Sequence, residues 1–137
     1  MTGAAPDDPS IPSQATLLRR VHPKWIVDDG AGGTMPASNT FQDSSGDGAA
    51  MSVYVEEKLR ELGREAGDVV ARYAGYGLVA FKASLARECG LTLAWAPDSS
   101  DPDCGEAHAL VCGRKTGSIQ KRLRTGCERR VWPDAPH

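Results

Sequence analysis

The apolar residues of this chain occur in short runs that glycine, proline and polar residues interrupt. The longest uninterrupted runs, such as residues 78–81, are only a few residues long. A membrane-spanning helix needs about 20 consecutive apolar residues, so we expect no membrane association. The chain is limited to strands and amphipathic helices, and its 137 residues match the length of one domain.

The two ends of the chain differ in composition from the middle. Residues 1–14 contain three prolines, two aspartates and mostly small residues. Such a segment buries too little apolar surface to offset the entropy of ordering, so we predict that residues 1–14 are disordered. Residues 15–133 are predicted to form a single domain, followed by a tail at 134–137. The start of the chain shows no apolar stretch of signal-peptide length, which favours a cytoplasmic location and four reduced cysteines.

Hydrophobic periodicity divides the ordered region into strands and helices. Strands are predicted at residues 24–27, 51–55, 91–95 and 107–112. Residues 16–21 fit a strand or a helical turn, and residues 78–81 fit a buried strand or the start of a helix. Helices are predicted at residues 56–73, at 83–89 and, as a basic helix, at 118–131. Residues 30–50 are predicted to be a long flexible loop that Phe41 anchors to the core.

This order of elements predicts an α+β fold. We expect a small mixed or antiparallel sheet of four to five strands, packed on two to three helices. A compact α/β fold with a βαβ unit is the alternative, because the helix predicted at 56–73 links two strands.

Positive charge is concentrated near the C-terminus. Between residues 113 and 130 the chain has seven basic residues against one acid, although its net charge is −2. This asymmetry predicts contact with an acidic protein partner, or with nucleic acid, through the basic helix. A solvated basic surface is the simpler explanation.

The turn at 113–118 precedes the basic helix and combines glycines with hydroxyl and basic side chains. A helix N-terminus with such a turn can bind phosphate, although the spacing differs from a Walker A loop. An ordinary turn with Ser118 as N-cap explains the same residues. The predicted anion or partner contacts are Arg114, Lys115, Thr116, Ser118, Lys121, Arg122 and Arg124.

His108 is the candidate catalytic residue. It could act as a base for Cys104 or Cys112, but no known catalytic or cofactor motif surrounds it. Zinc could take Cys104, His108, Cys112 and Cys127 as ligands. His108 and Cys112, however, would lie about 13 Å apart on a regular strand. We therefore expect no metal and no cofactor, and whether the chain is an enzyme stays open.

Three segments resemble a pattern in small uncharacterised bacterial proteins, Ser-x-x-Phe, Met-Ser-Val and His-Ala-Leu-Val-x-Gly-x-Lys-Thr. They are Ser38-Asn39-Thr40-Phe41, Met51-Ser52-Val53-Tyr54 and residues 107–116. The resemblance extends over residues 17–132 and implies no activity. It directs attention to His108 and to the turn at Lys115 and Thr116, and it places the loop at 38–41 near them.

Two functions follow as hypotheses. The first is a non-catalytic binding or accessory module of a bacterial multi-component system, whose basic C-terminal helix contacts an acidic partner or nucleic acid. The second is a small enzyme that acts on a phosphate-containing ligand, with the 113–118 turn holding phosphate and His108 as acid or base.

Overall fold

A computed structural model describes residues 6–43 and 50–133, which form a mixed α+β fold. The strands are β1 (Thr16–Val21), β2 (Ile26–Asp28), β3 (Thr34–Pro36), β4 (Ala50–Val55), β5 (Gly77–Lys82), β6 (Thr92–Trp95), β7 (His108–Cys112) and β8 (Glu128–Val131). The α-helices are α1 (Glu56–Glu61), α2 (Ala83–Glu88) and α3 (Gly117–Gly126). Short 3-10 helices form at Pro23–Trp25, Ser38–Phe41, Ala66–Val70 and Gly105–Ala107.

Six of these strands form one antiparallel sheet in the order β6-β7-β4-β1-β5-β8, and β2 pairs with β3 separately. The predicted α+β class is confirmed. The predicted four to five strands are too few, because β8 lies in a segment predicted as helix and pairs with β5.

The alternative of a compact α/β fold is wrong. Every strand pair among the described residues is antiparallel. Strands β4 and β5 flank β1 and both run antiparallel to it, so they are parallel to each other with β1 between them. The helical connection between them therefore crosses over one strand, as in a split βαβ arrangement.

The helix predicted at 56–73 is much shorter in the structure. Helix α1 ends at Glu61, and Gly63 follows in the left-handed region with φ of 75°. The Arg64 N–H donates to the Leu59 carbonyl at 2.8 Å, as at many glycine-terminated helices. The chain then forms the 3-10 helix Ala66–Val70. Glycine at this position stops the helix although the apolar spacing continues beyond it.

The basic helix predicted at 118–131 is also divided in the structure. Helix α3 runs from Gly117 to Gly126, and Glu128–Val131 is the edge strand β8. The helical spacing predicted for Cys127 and Val131 is therefore wrong. Gly126 favours an end to the helix, and the residues beyond it gain backbone hydrogen bonds to β5.

The side chains of the sheet alternate between two faces, and helices cover the second face less completely than the first. On the first face Leu17, Val53 and Val111 belong to a core that includes Leu123 of α3. On the second face Leu18, Tyr54 and Ala80 pack with Leu59 of α1 and with the 3-10 helix Ala66–Val70. Beside this second cluster, a pocket lined by Ser52, His108 and Leu110 lies open on the second face over β4 and β7.

Residues 6–14 lie against the sheet, although their composition predicts disorder. The Asp8 N–H donates to the Leu93 carbonyl of β6 at 2.7 Å, and Ile11 is fully buried. Burial of one large apolar side chain and pairing to a strand edge hold this segment. The predicted anchor Phe41 is confirmed, since it is fully buried against Phe81. Residues 1–5, 44–49 and 134–137 lie outside the described part of the chain.

Candidate functional site

The turn before α3 does not expose all the residues predicted to bind an anion. The Lys115 side chain is 2% exposed, and its Nζ lies 2.6 Å from Asp43 Oδ1 and donates to the Val111 carbonyl at 2.6 Å. Thr116, not Ser118, is the N-cap, and its hydroxyl accepts from the Ile119 N–H. Lys115 is therefore a structural cation that ties the loop around residue 43 to β7.

The loop at 38–41 packs against α3, and Asp43 pairs with Lys115. The structure thus brings the first of the three segments next to the turn at 115–116.

The remaining basic residues near the C-terminus fall into two groups. Arg122 pairs with Glu88 at 3.1 Å, and Arg130 pairs with the buried Glu56 at 2.7 Å. Arg114, Lys121, Arg124 and Arg129 form no ion pair with a described carboxylate. Lys121 and Arg124 are three residues apart on α3 and therefore neighbours on its surface.

His108 lies far from this turn and makes two polar contacts. It is at the start of β7, about 16 Å from residue 113 at the rise of a regular strand. Its Nδ1 lies 2.7 Å from the Ala96 carbonyl oxygen. Its Nε2 contacts the hydroxyl of Ser52 on the neighbouring strand β4. The structure thus separates His108 from the predicted phosphate turn and joins it to Ser52.

The strand register explains why Ser52 and His108 meet. In the pairing of β4 with β7, Tyr54 is opposite His108 and Ser52 is opposite Leu110. Residues two apart on a strand point to the same face, so Ser52 and His108 are diagonal neighbours on the second face of the sheet. The Tyr54 ring packs edge-on to the imidazole with centroids 5.3 Å apart and limits its rotation.

The contact with Ala96 fixes the tautomer of the neutral imidazole. A carbonyl oxygen can only accept a hydrogen bond, so Nδ1 carries the proton. The Nε2 atom of the neutral ring is then an acceptor, and the Ser52 hydroxyl donates to it. A hydroxyl that donates to a histidine held by a third group is the arrangement of an activated serine nucleophile.

Arg20 supplies positive charge beside this pair. Its Nε donates to the Val69 carbonyl at 2.7 Å, and its guanidinium lies 4.9 Å from the Tyr54 ring centroid and 4.1 Å from that of Tyr73. It forms no ion pair with a described carboxylate. Burial raises the pKa of Tyr54 above its usual value, and the charge of Arg20 partly opposes this shift.

Ser52, His108, Tyr54 and Arg20 line one pocket of about 590 Å³ on the second face of the sheet. This volume is within the range of about 300–1,000 Å³ typical of small-molecule sites. The pocket also contains Asp98 at its rim. Two hydrogen bonds from Ser100 hold the pKa of Asp98 below its usual value, and the nearby charge of Arg20 lowers it further. The rim therefore keeps a carboxylate close to the imidazole.

The cysteines do not pair with His108 in a way that would favour thiol chemistry. All four are free thiols, and Cys104 and Cys112 are buried. Burial raises the pKa of both thiols above the ordinary value, which suppresses the nucleophilic thiolate. Among the described residues, no three His, Cys, Asp or Glu side chains come together as a metal site.

Sequence reasoning missed Ser52 although the signal was present. The alternation of residues 51–55 places Ser52 and Tyr54 opposite the apolar Met51, Val53 and Val55. The contact with His108 depends on which strands pair and in which register, and the local sequence does not specify either.

Comparison of the chain with protein-family models, with curated protein sequences and with solved structures finds no match. In the part of the chain that the structure describes, no helix has the length and apolar character needed to cross a bilayer.

Proposed function

We propose that this chain is a cytoplasmic binding or accessory module of a bacterial multi-component system, and that the exposed side of α3 contacts an acidic surface of a protein partner. The observation that supports this proposal is a group of cations on α3 and the turn before it, Arg114, Lys121 and Arg124, that form no ion pair with a described carboxylate. Several cations elsewhere on the surface are paired with carboxylates in the fold. Arg64 and Arg72 both pair with Asp103, for example.

A protein partner has more support than nucleic acid. Binding of single strands commonly uses aromatic side chains on which bases stack. Trp132, the aromatic residue nearest in sequence, lies beside Arg129 and donates from its indole nitrogen to Thr34 at 2.9 Å. It is therefore engaged with β3 and does not extend the surface of α3.

Charge reversal on α3 tests this function. The tagged chain is used to capture partners from a nuclease-treated lysate of its host, and the Kd of the captured protein is then measured with purified components. The variant Lys121→Glu with Arg124→Glu should bind about 10-fold more weakly or worse, because charge pairs across an interface favour association and like charges oppose it.

The matched control is Arg64→Glu with Arg72→Glu, which changes the net charge by the same amount at exposed ion pairs on another surface. We expect the control to bind within about 3-fold of the original chain. Charges outside the interface act on the partner only over long distances, where salt screens them. Equal weakening by both variants would contradict a specific contact. Capture from an untreated lysate but not from the nuclease-treated one would favour nucleic acid.

The alternative function, an enzyme that holds phosphate on the 113–118 turn and uses His108, has weaker support. Lys115 is buried against Asp43, and His108 lies at the opposite end of β7 from the turn. One small ligand would have to reach both places.

A further inference from the structure

We propose that Ser52 is a nucleophile activated by His108, and that the pocket around them accepts an ester or thioester whose acyl group carries a negative charge. This inference does not depend on the binding function of α3, because it uses different residues on the other face of the sheet. Its basis is the sequence of contacts from the Ala96 carbonyl through the imidazole to the Ser52 hydroxyl.

The acyl-transfer step uses only groups present in the pocket and the substrate. The Ser52 Oγ forms a bond to the carbonyl carbon while its proton passes to His108 Nε2, and the carbonyl electron pair moves to oxygen. Collapse of this intermediate breaks the bond to the leaving oxygen or sulfur, which takes the proton from His108. Water, deprotonated by the same imidazole, then cleaves the acyl-serine and restores Ser52.

The surroundings of the pair suit this chemistry. When His108 takes the proton it becomes cationic, and the carboxylate of Asp98 at the pocket rim stabilises that charge. The Ala96 carbonyl holds the Nδ1 proton throughout. The edge-on Tyr54 ring keeps the imidazole directed at Ser52. A base oriented in this manner contributes about 10²–10⁴-fold to a proton-transfer step.

Arg20 specifies the substrate class. Its guanidinium is fixed between Tyr54 and Tyr73 and by the Val69 carbonyl, so it presents a positive charge at a constant position in the pocket wall. A fixed cation favours a carboxylate on the substrate, and an arginine binds carboxylates with paired hydrogen bonds.

Covalent labelling of the full chain tests the nucleophile. A fluorophosphonate reacts with an activated serine by forming an Oγ–phosphorus bond and releasing fluoride. We expect stoichiometric labelling, mapped to Ser52 by peptide mass spectrometry. His108→Asn keeps a side-chain amide near the Ala96 carbonyl but loses the base, and it should label at least about 100-fold more slowly. Ser118→Ala, which alters an exposed serine of α3, should label at the original rate.

Three results would overturn the nucleophile. They are no label at Ser52, equal rates in the original chain and in His108→Asn, and labelling spread over several serines. The mapping on the unaltered chain gives a result even if a variant fails to fold. Ser52→Ala removes only one oxygen, so this variant should keep the fold and lose the label.

Two esters of equal length test the substrate class. The p-nitrophenyl half-ester of succinate is anionic, and the p-nitrophenyl ester of butyrate is neutral. Arg20→Gln should raise KM for the half-ester about 10-fold and leave KM for the neutral ester unchanged, because a charge-assisted pair contributes at least about 1.4 kcal/mol. Arg72→Gln, at the adjacent surface, should change neither. A similar effect of Arg20→Gln on both esters would exclude charge recognition.

Discussion

At the scale of single residues, Cys127 links the end of α3 to the pH dependence of stability. Its thiol donates to the Arg124 carbonyl at 3.2 Å, and burial raises the pKa of Cys127 from 9.0 to about 11. Between these two values the folded chain keeps a proton that the unfolded chain has lost. The contribution of this thiol is therefore fully present below pH 9 and is lost as the pH rises toward 11.

We predict that Cys127→Ala will lose less stability than the original chain between about pH 8 and about pH 10.5. Solvent screening of this half-buried group reduces the expected difference to about 1 kcal/mol. Urea denaturation of both proteins at the two pH values measures it, and comparison of each protein with itself removes the effect of the lost packing. Parallel losses in the two proteins would contradict the assignment.

Single residues also show where sequence reasoning stops. The basic composition around Lys115 suggests an anion site, but the side chain turns inward to Asp43. A basic residue in a turn is exposed or buried according to whether a carboxylate reaches it from another segment. Here that carboxylate is 72 positions earlier in the chain, and no local pattern indicates the pairing.

At the scale of elements, the turn that carries Asp98 depends on Gly105. The Asp98 N–H donates to the Gly105 carbonyl at 2.9 Å, and the Gly105 N–H donates to the Asp101 carbonyl at 3.0 Å. A Cβ atom on residue 105 would lie 1.9 Å from the Asp98 carbonyl oxygen. Backbone would have to move to accept it, since no flexible side chain forms that contact.

We therefore predict that Gly105→Ala will lower the free energy of unfolding by about 1–3 kcal/mol or more, as overpacked sites do. Gly67→Ala is the matched control, because a Cβ there would meet nothing within 4 Å. It should stay within about 0.5 kcal/mol of the original chain. Urea denaturation of the two variants measures both values. Equal effects would show that the close approach of residue 105 to the Asp98 carbonyl does not limit stability.

The elements also show how much of the fold is predictable. Alternation identified the strands β4 and β6, because one side of each is apolar, and an apolar run of strand length identified β7. It missed β8, since Glu128, Arg129 and Arg130 are exposed there and the few apolar residues nearby also fit a helix. An edge strand has little side-chain burial, so its formation depends on backbone hydrogen bonds to β5, which side-chain patterns do not record.

At the scale of the whole molecule, the sheet separates the two proposed functions. Leu123 of α3 packs into the cluster on the first face, whereas Ser52, His108 and Arg20 line the pocket on the second. The sequence predicts the α+β class from the elements, but not this separation. Which face a helix covers is decided by strand order, and strand order depends on contacts between distant segments.

The separation makes the two functions independent in a measurable way. Substitutions more than about 7–10 Å apart without shared partners have nearly additive effects. We therefore predict that Lys121→Glu with Arg124→Glu will leave the rate of fluorophosphonate labelling at Ser52 within about 2-fold of the original chain, because salt screens exposed charges beyond about 8–10 Å. Ser52→Ala should in turn leave the Kd for the captured partner unchanged. If charge reversal on α3 slowed labelling about 10-fold at physiological salt, screening could not account for it. The two faces would then be coupled through the core between Leu123 and the sheet.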